Sequence, residues 1–405
     1  MRAIITPHKL SGNISIISSK SYTHRAIIAA SLASGISKID NVYFSNDILA
    51  TISICKKMGA KIDRIGDSLL IEGVSTFNKV DMYDASDSGS TLRFLLPVLL
   101  IKENEFTITG HNNLVNRPLD VYYDLFEQIG IEYHHQESNL PLSIKGRLKP
   151  GEYVIKDLNS SQFITGLLFA LPLLEADSKI IVEGKIESIS YIKLSIHILS
   201  LFGIKIEEFE NGFYIPGNQE YKATNIISEG DYSQAAFFLV ANLMGNNINV
   251  FNLNPDSLQA DKKIMDIIQS FSSENCVVDL ADCPDLGPIL FTLASTLDKE
   301  TRFINTKRLK IKESDRIKDL EEELSKIGAR FSVYPNEVLI KGTLNRKGDY
   351  VFDTHKDHRI IMSLAILSTV LEGQVVINGI EEVSKSYPTF FEDFKKLGGI
   401  VDEIN

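Results

Sequence analysis

The sequence predicts an α/β protein of two similar domains, each built from three β/α repeat units. Three observations predict it. The chain has 405 residues, too many for one compact core. Its apolar (44%) and charged (23%) fractions are those of packed globular domains. One type of segment also recurs along it: a helix-like stretch that ends at a glycine, then a short hairpin of alternating apolar residues that closes on a second glycine.

The recurring segment reads MGAKIDRIGDSLLIEG from Met58, IGIEYHHQESNLPLSIKG from Ile129 and LFGIKIEEFENGFYIPG from Leu201. It returns as IGARFSVYPNEVLIKG from Ile327 and, cut short, as LGGIVDEIN at the C-terminus. Each first glycine suits a left-handed helix cap, and the alternation after it suits strands with one buried face. The cap glycines Gly59, Gly130 and Gly203 follow one another at about 70 residues, as do Gly328 and Gly398. The gap from Gly203 to Gly328 is nearly twice that, which predicts a degenerate copy near IIQSFSSENCVVDL. The last copy lacks its hairpin, and the N-terminal strands are expected to supply the missing partner. The chain then leaves one domain near Ser18 and re-enters it near Glu229, giving domains of residues 18–228 and of 1–17 with 229–405.

Composition narrows the function classes. A net charge of −11 argues against a nucleic-acid binder, yet a basic cleft can still sit in an acidic protein. The three cysteines, Cys55, Cys276 and Cys283, form no CxxC pair, which fits a reducing cytoplasm rather than a disulfide framework or zinc site. The N-terminus MRAIITPHKLSGNISI alternates like a strand and has no signal-peptide core. Apolar runs such as Leu95 to Ile101 and Leu167 to Leu174 fall well short of the roughly 20 residues that span a bilayer. The expectation is a cytoplasmic monomer acting on small molecules, with neither membrane nor nucleic-acid partner.

Four polar segments interrupt the periodic pattern, each just before an apolar helix. Ser18-Ser-Lys-Ser-Tyr-Thr-His-Arg25 places Lys20, Ser21 and Arg25 at a helix start, where free backbone N–H groups favour anions. Asp87-Ser-Gly-Ser-Thr-Leu-Arg93 offers the open backbone of Gly89 and the charge of Arg93. Asn159-Ser-Ser-Gln-Phe163 brings hydroxyls and amides that coordinate phosphate or simply cap a helix. Lys310-Ile-Lys-Glu-Ser-Asp-Arg316 crowds both signs of charge around Ser314, a candidate N-cap. Taken singly, these segments read more simply as capped helices with solvated cations than as ligand sites. GxxxxGK[ST] is absent, which argues against a Walker-type nucleotide cradle.

Two further patterns are set aside. Asp353-Thr-His-Lys-Asp-His-Arg359 looks like a metal-ligand run, but Lys356 and Arg359 within it oppose a divalent cation, so no metal is expected. S-x-x-K occurs at Ser53–Lys56 and at Ser190–Lys193 without any K-T-G and reads as accidental.

In order and spacing, the chain resembles the EPSP synthase family over essentially its whole length. The matching motifs are SKSYTHR, DSGSTLR, the NRPLD around Arg117, SSQF, and the SISYI ending at Ile192. They continue through the PD at Asp285, KESDR, the DHR at Asp357, and SKSYPTFF from Ser384. The resemblance implies two inside-out α/β barrels with an active-site cleft between them. It implies transfer of the enolpyruvyl group of phosphoenolpyruvate to the 5-hydroxyl of shikimate 3-phosphate, on the route to chorismate and the aromatic amino acids. No cofactor is implied. By motif position, Lys20, Ser21, Arg25, Ser160, Ser161, Gln162, Ser188, Tyr191, Asp285, Arg308 and Lys312 would hold shikimate 3-phosphate. Lys20, Gly89, Arg117, Gln162, Arg316, Arg359 and Lys385 would hold phosphoenolpyruvate. Asp285, Glu313 and Lys20 would be the catalytic groups.

The chain departs from the family pattern at three places: Ile17-Ser-Ser before Lys20, Arg308 where some members have Asn, and Phe94 after Arg93. Gly89 leaves open a space that a bulkier residue would close, which predicts sensitivity to glyphosate. Two rivals stay open. The sister transferase acting on UDP-N-acetylglucosamine typically has a reactive Cys before its R-P-x-D stretch, and none lies in Gly110 to Asp120. A non-catalytic anion-binding member of the fold would have no need of both carboxylates.

Overall fold

In this computed structural model the described residues are 1–102, 104–156, 158, 160–184, 186, 188–343 and 346–404. Asn159 of the third polar segment therefore lies outside them. Twelve α-helices are described: α1 (Lys20–Leu32), α2 (Asn46–Met58), α3 (Gly89–Val98), α4 (Asp120–Ile129), α5 (Ser161–Ala170) and α6 (Ile189–Leu201), then α7 (Tyr232–Leu243), α8 (Ile264–Ser270), α9 (Gly287–Ser295), α10 (Arg316–Ser325), α11 (His358–Ser368) and α12 (Phe390–Lys396). Among the described residues no helix is long and apolar enough to cross a membrane.

The chain divides into two compact units, Ser18–Glu229 and Met1–Ile17 with Gly230–Asn405. Among the described residues, each has its own hydrophobic core and three sheets. Five of the six sheets share one four-stranded order. Met82–Asp84 runs parallel to Asn104–Thr109, which pairs antiparallel with Leu142–Gly146, itself the second strand of a hairpin with Glu132–His134. The hairpins after Gly59, Gly130, Gly203 and Gly328 form where the apolar alternation places them. Gly130, for instance, closes α4 at φ 74°, ψ 36°, a left-handed cap that a side chain would strain. The truncated last copy is completed by the N-terminus: Arg2–Thr6 lies antiparallel between Val375–Asn378 and Ile400–Ile404.

The degenerate copy corrects the sequence reading. After α8, the residues Ser272-Ser-Glu-Asn275 carry neither a cap glycine nor an apolar alternation. Cys276–Asp279 then joins the next sheet as its first strand instead of turning back as a hairpin. The sixth sheet consequently has two strands among the described residues, Ser11–Ser15 parallel to Asn247–Phe251. Asn242 closes the edge left open: its Oδ1 accepts from the Ile248 N–H at 2.8 Å and its Nδ2 donates to the Ile248 carbonyl at 2.8 Å. An amide side chain thus takes both bonds that a neighbouring strand would make.

Within each unit one set of helices is interior. α1, α3 and α5 in the first unit and α7, α9 and α11 in the second are buried on nearly all sides, as their all-round apolar sequences require. The other helices keep an exposed face, and the sheets alternate buried and exposed residues along each strand. Helices therefore form the inside of each unit and sheets its outside. Of the catalytic candidates, Lys20 and Asp285 sit where the chain enters interior helices α1 and α9, and Glu313 lies just before α10.

The tightest crossing is that of α3 with α5. A Cβ at Gly166 would overlap the Arg93 carbonyl oxygen and the Tyr122 hydroxyl, neither of which can swing away. Helix propensity alone predicts that Gly166→Ala gains up to about 1 kcal/mol. Overpacking at this crossing reverses the sign, and we expect a net loss of about 1–3 kcal/mol in urea unfolding. A variant as stable as the parent would contradict the close approach.

Candidate active site

In the first unit the candidate residues cluster at helix N-termini. Ser19, Ser88 and Ser160 are the N-caps of α1, α3 and α5, accepting from the N–H groups of Tyr22, Thr91 and Gln162 at 3.3, 3.2 and 3.3 Å. A hydroxyl cap satisfies one amide and adds no negative charge, so the positive end of each interior helix stays available to an anion. Hydrogen bonds tie the first turns together. Lys20 Nζ donates to Asp47 Oδ2 at 2.7 Å. Thr91 Oγ1, at 2.7 Å from Ser88 Oγ, also contacts Thr51 Oγ1. Thr51 in turn contacts His24 Nδ1 at 2.7 Å. Burial, reinforced by Lys20 and Arg25 and opposed by Asp47, lowers the His24 imidazole to about 3, so it stays neutral and adds no charge beneath the cations.

Arg25 is buried and joins α1 to α6. Its Nε donates to Ser195 Oγ at 2.8 Å, Nη1 to the Ser21 carbonyl at 2.7 Å and Nη2 to the Tyr191 carbonyl at 3.2 Å. Ser188, the N-cap of α6, is fully buried at φ 55°. Arg117 follows the turn Asn112–Asn116, and its guanidinium packs on Gly89: a Cβ there would stand 2.5 Å from Nη1. Lys20, Ser21, Arg25, Ser188 and Tyr191 thus meet around α1 and α6, while Gly89, Arg117, Ser160, Ser161 and Gln162 meet around α3 and α5.

The second unit carries a denser charge cluster. Arg316, 1% exposed, reaches three carboxylates: Nε to Asp357 Oδ2 at 2.7 Å, Nη1 to Asp285 Oδ1 at 2.9 Å and Nη2 to Glu313 Oε2 at 2.8 Å. Asp285 also meets Lys312 Nζ at 3.1 Å and Arg359 Nη2 at 3.2 Å. Burial by itself would raise the Asp285 carboxyl, but Arg359, Lys312 and Arg316 together hold it well below the usual carboxylate range. Burial lowers the Lys312 ammonium to about 8 against the pull of Asp285. Arg316 is driven the other way, because Asp357, Glu313 and Asp285 outweigh the effect of burial. Arg308 lies one turn before Lys312 on the segment Lys307–Ile311. Lys385 ends the turn Ile380–Lys385 and is nearly buried.

Several details revise the sequence reading. The N-cap of α10 is Asp315, not Ser314; its carboxylate accepts from both the Ile317 and the Lys318 N–H groups at 3.2 Å, which a hydroxyl cannot match in charge. Asp47 and Asp357, partners of Lys20 and Arg316, were not singled out as site residues. Asp357 stands in a recognised motif, whereas Asp47 has no local signal. Cys283 is buried with its thiol pushed up by burial and by Asp261, so it is not a nucleophile. Among the described residues, Glu322, Glu323 and His355 have metal-ligand spacing, but Lys326 Nζ lies 2.6 Å from Glu323 Oε2 and occupies that carboxylate.

The profile of one family, EPSP synthase (3-phosphoshikimate 1-carboxyvinyltransferase), matches residues 4–274 and 272–394. The chain is 44% identical over 420 residues to the 3-phosphoshikimate 1-carboxyvinyltransferase of Clostridium perfringens, covering 99% of each chain. It is 45% identical over 417 residues to that of Clostridium kluyveri, covering 98% of each. Among solved structures, the 2.37 Å EPSP synthase of Acinetobacter baumannii superposes with a TM-score of 0.82 at 22% identity, over 99% of this chain and 100% of that one.

An anion held by Lys312 would bind with a pH dependence set by its lowered ammonium. Below about 8 the ammonium is charged; above it the second unit loses one cation, so anion affinity falls as pH rises. Calorimetry with sulfate, whose charge is constant over this range, should show the fall between pH 7 and roughly 9.5 in the wild type and a flat profile in Lys312→Arg. A flat wild-type profile would refute the assignment.

Proposed function

The chain belongs to the EPSP synthase family, and on that premise we propose that it transfers the enolpyruvyl group of phosphoenolpyruvate to the 5-hydroxyl of shikimate 3-phosphate and releases phosphate. The observation that carries the reading is Arg316, which holds Asp285 and Glu313 together in one buried cluster with Lys312 and Arg359 close by. That cluster joins two carboxylates able to handle protons to cations able to hold anions.

Both substrates carry a phosphate and a carboxylate, roughly −5 to −6 charges together at neutral pH. In this reading Lys20, Ser21, Arg25, Ser160, Ser161, Gln162, Ser188, Tyr191, Asp285, Arg308 and Lys312 hold shikimate 3-phosphate. Phosphoenolpyruvate is held by Lys20, Gly89, Arg117, Gln162, Arg316, Arg359 and Lys385. Arginine suits the carboxylate by paired donors, and lysine suits phosphate as a point charge.

The chemistry takes two steps. The 5-hydroxyl oxygen bonds to C2 of the enol while a proton arrives at C3. Phosphate then departs as a proton leaves the new methyl group, restoring the double bond. Asp285 accepts the hydroxyl proton, Glu313 handles the proton at C3, and Lys20 neutralises the departing phosphate. Without ligand, Asp285 is a weak base because three cations hold it ionised. Substrate anions that draw Arg316, Arg359 and Lys312 toward themselves raise its proton affinity, so the base gains strength only once the site is filled. The working unit in this reading is a single chain in the cytoplasm, which suits the three free, buried cysteines.

Phosphate release from phosphoenolpyruvate tests the reading. Release should require shikimate 3-phosphate, and Asp285→Ala should slow it by about 10²-fold or more. Release with UDP-N-acetylglucosamine instead would move the chain to the sister activity, and silence with both acceptors would leave an anion-binding protein. Gly89→Ala, whose methyl would displace the Arg117 guanidinium, should raise KM for phosphoenolpyruvate about tenfold with little effect on KM for shikimate 3-phosphate. Equal KM values in variant and wild type would dissociate Gly89 from that substrate.

A further inference from the structure

Arg93 stands in the DSGSTLR segment, yet the assignment above gives it no role. It is 3% exposed, so it is not an open cation awaiting a ligand. Its Nη1 donates to Gln162 Oε1 at 2.8 Å and its Nη2 to the Pro118 carbonyl at 2.8 Å. The guanidinium carbon lies 4.9 Å from the centre of the Phe163 ring, a cation–π distance. From α3, Arg93 thus reaches the first turn of α5 and the peptide that follows Arg117.

These contacts fix an orientation. A guanidinium has only donors, so the Gln162 atom facing it must be the carbonyl oxygen. The amide nitrogen is turned to the other side, where it donates to Ser90 Oγ at 3.0 Å and keeps a second N–H for a ligand. The Pro118 contact anchors the loop that holds the Arg117 guanidinium against Gly89. The Arg93 backbone is pinned in turn, because its carbonyl accepts from the Tyr122 hydroxyl at 2.5 Å. Two side chains assigned to phosphoenolpyruvate, on separate elements, are therefore oriented by one buried residue.

We propose that Arg93 is a positioning residue for phosphoenolpyruvate: it sets the Gln162 carboxamide and the Arg117 loop in their binding orientation and touches neither substrate. The inference rests on the functional reading above. A lysine in its place reaches one of the two acceptors at most and lacks the planar fork. A purely structural arginine would affect stability, or both substrates alike.

The test is steady-state kinetics on the full chain, varying each substrate in turn. Arg93→Met should raise KM for phosphoenolpyruvate about tenfold or more, and KM for shikimate 3-phosphate, which shares Gln162 but not Arg117, by a clearly smaller factor. Arg93→Lys should recover part of the loss. In a Gln162→Ala background, Arg93→Met should cost less than it does alone, because the share of its effect that runs through Gln162 is already lost and only the Arg117 share remains. Equal increases in both KM values, unchanged KM values, or full additivity with Gln162→Ala would each overturn the inference. If Arg93→Met does not fold, Arg93→Lys combined with Ser90→Ala poses the same question by loosening both anchors of Gln162. A wild-type chain that releases no phosphate would instead overturn the functional reading, and this inference with it.

Discussion

Arg316 bonded to three carboxylates is the constraint on which the second unit depends. A buried guanidinium is tolerated only when its donors are taken, and a buried carboxylate only when it is paired. Asp357 is fully buried and Asp285 and Glu313 are partly so, and all three share this one cation. Removing one partner of such a pair typically costs about 3–5 kcal/mol. The same bonds fix where the candidate acid–base groups stand. Asp357 adds a second tie, since it also caps α11 by accepting from the Arg359 N–H at 2.8 Å. The arginines on α10 and α11 are thereby set by one carboxylate.

The two units share a repeat but cap their interior helices differently. Serines cap α1, α3 and α5, leaving positive helix ends for an anion. Aspartates cap α7 and α11, and Asp285 lies just before α9. Those carboxylates neutralise the helix ends, and the cations beside them are Lys312, Arg316 and Arg359. One architecture therefore carries uncharged, anion-compatible helix ends in the first unit and a carboxylate–guanidinium cluster in the second, through a change in cap chemistry.

The fold was legible in the sequence wherever a glycine cap preceded an alternating run, because both signals are local. The hairpins after Gly59, Gly130, Gly203 and Gly328 formed as read. The degenerate copy was located in the sequence but its missing hairpin was not: Ser272 to Asn275 has no alternation, and nothing local announces that Asn242 would bond the edge of a strand. The site shows the same division. Motifs marked which residues carry charge but not where their donors go. Arg25 and Arg93 read as ligand cations, and their donors reach protein acceptors. The Lys20–Asp47 pair spans two helices and leaves no trace in either motif. Asp315 rather than Ser314 capped α10 because its carboxylate serves two amides at once.

The central claim is that Arg316, with Lys312 and Arg359, holds Asp285 ionised in the free enzyme. The most direct test is the acid side of the pH profile of kcat/KM, compared between wild type and Arg316→Lys. A lysine cannot bridge three carboxylates, so the fall in activity on acidification should begin at higher pH in the variant, by roughly one unit or more. A variant that still turns over, with its acid-side fall at the wild-type position, would contradict the account.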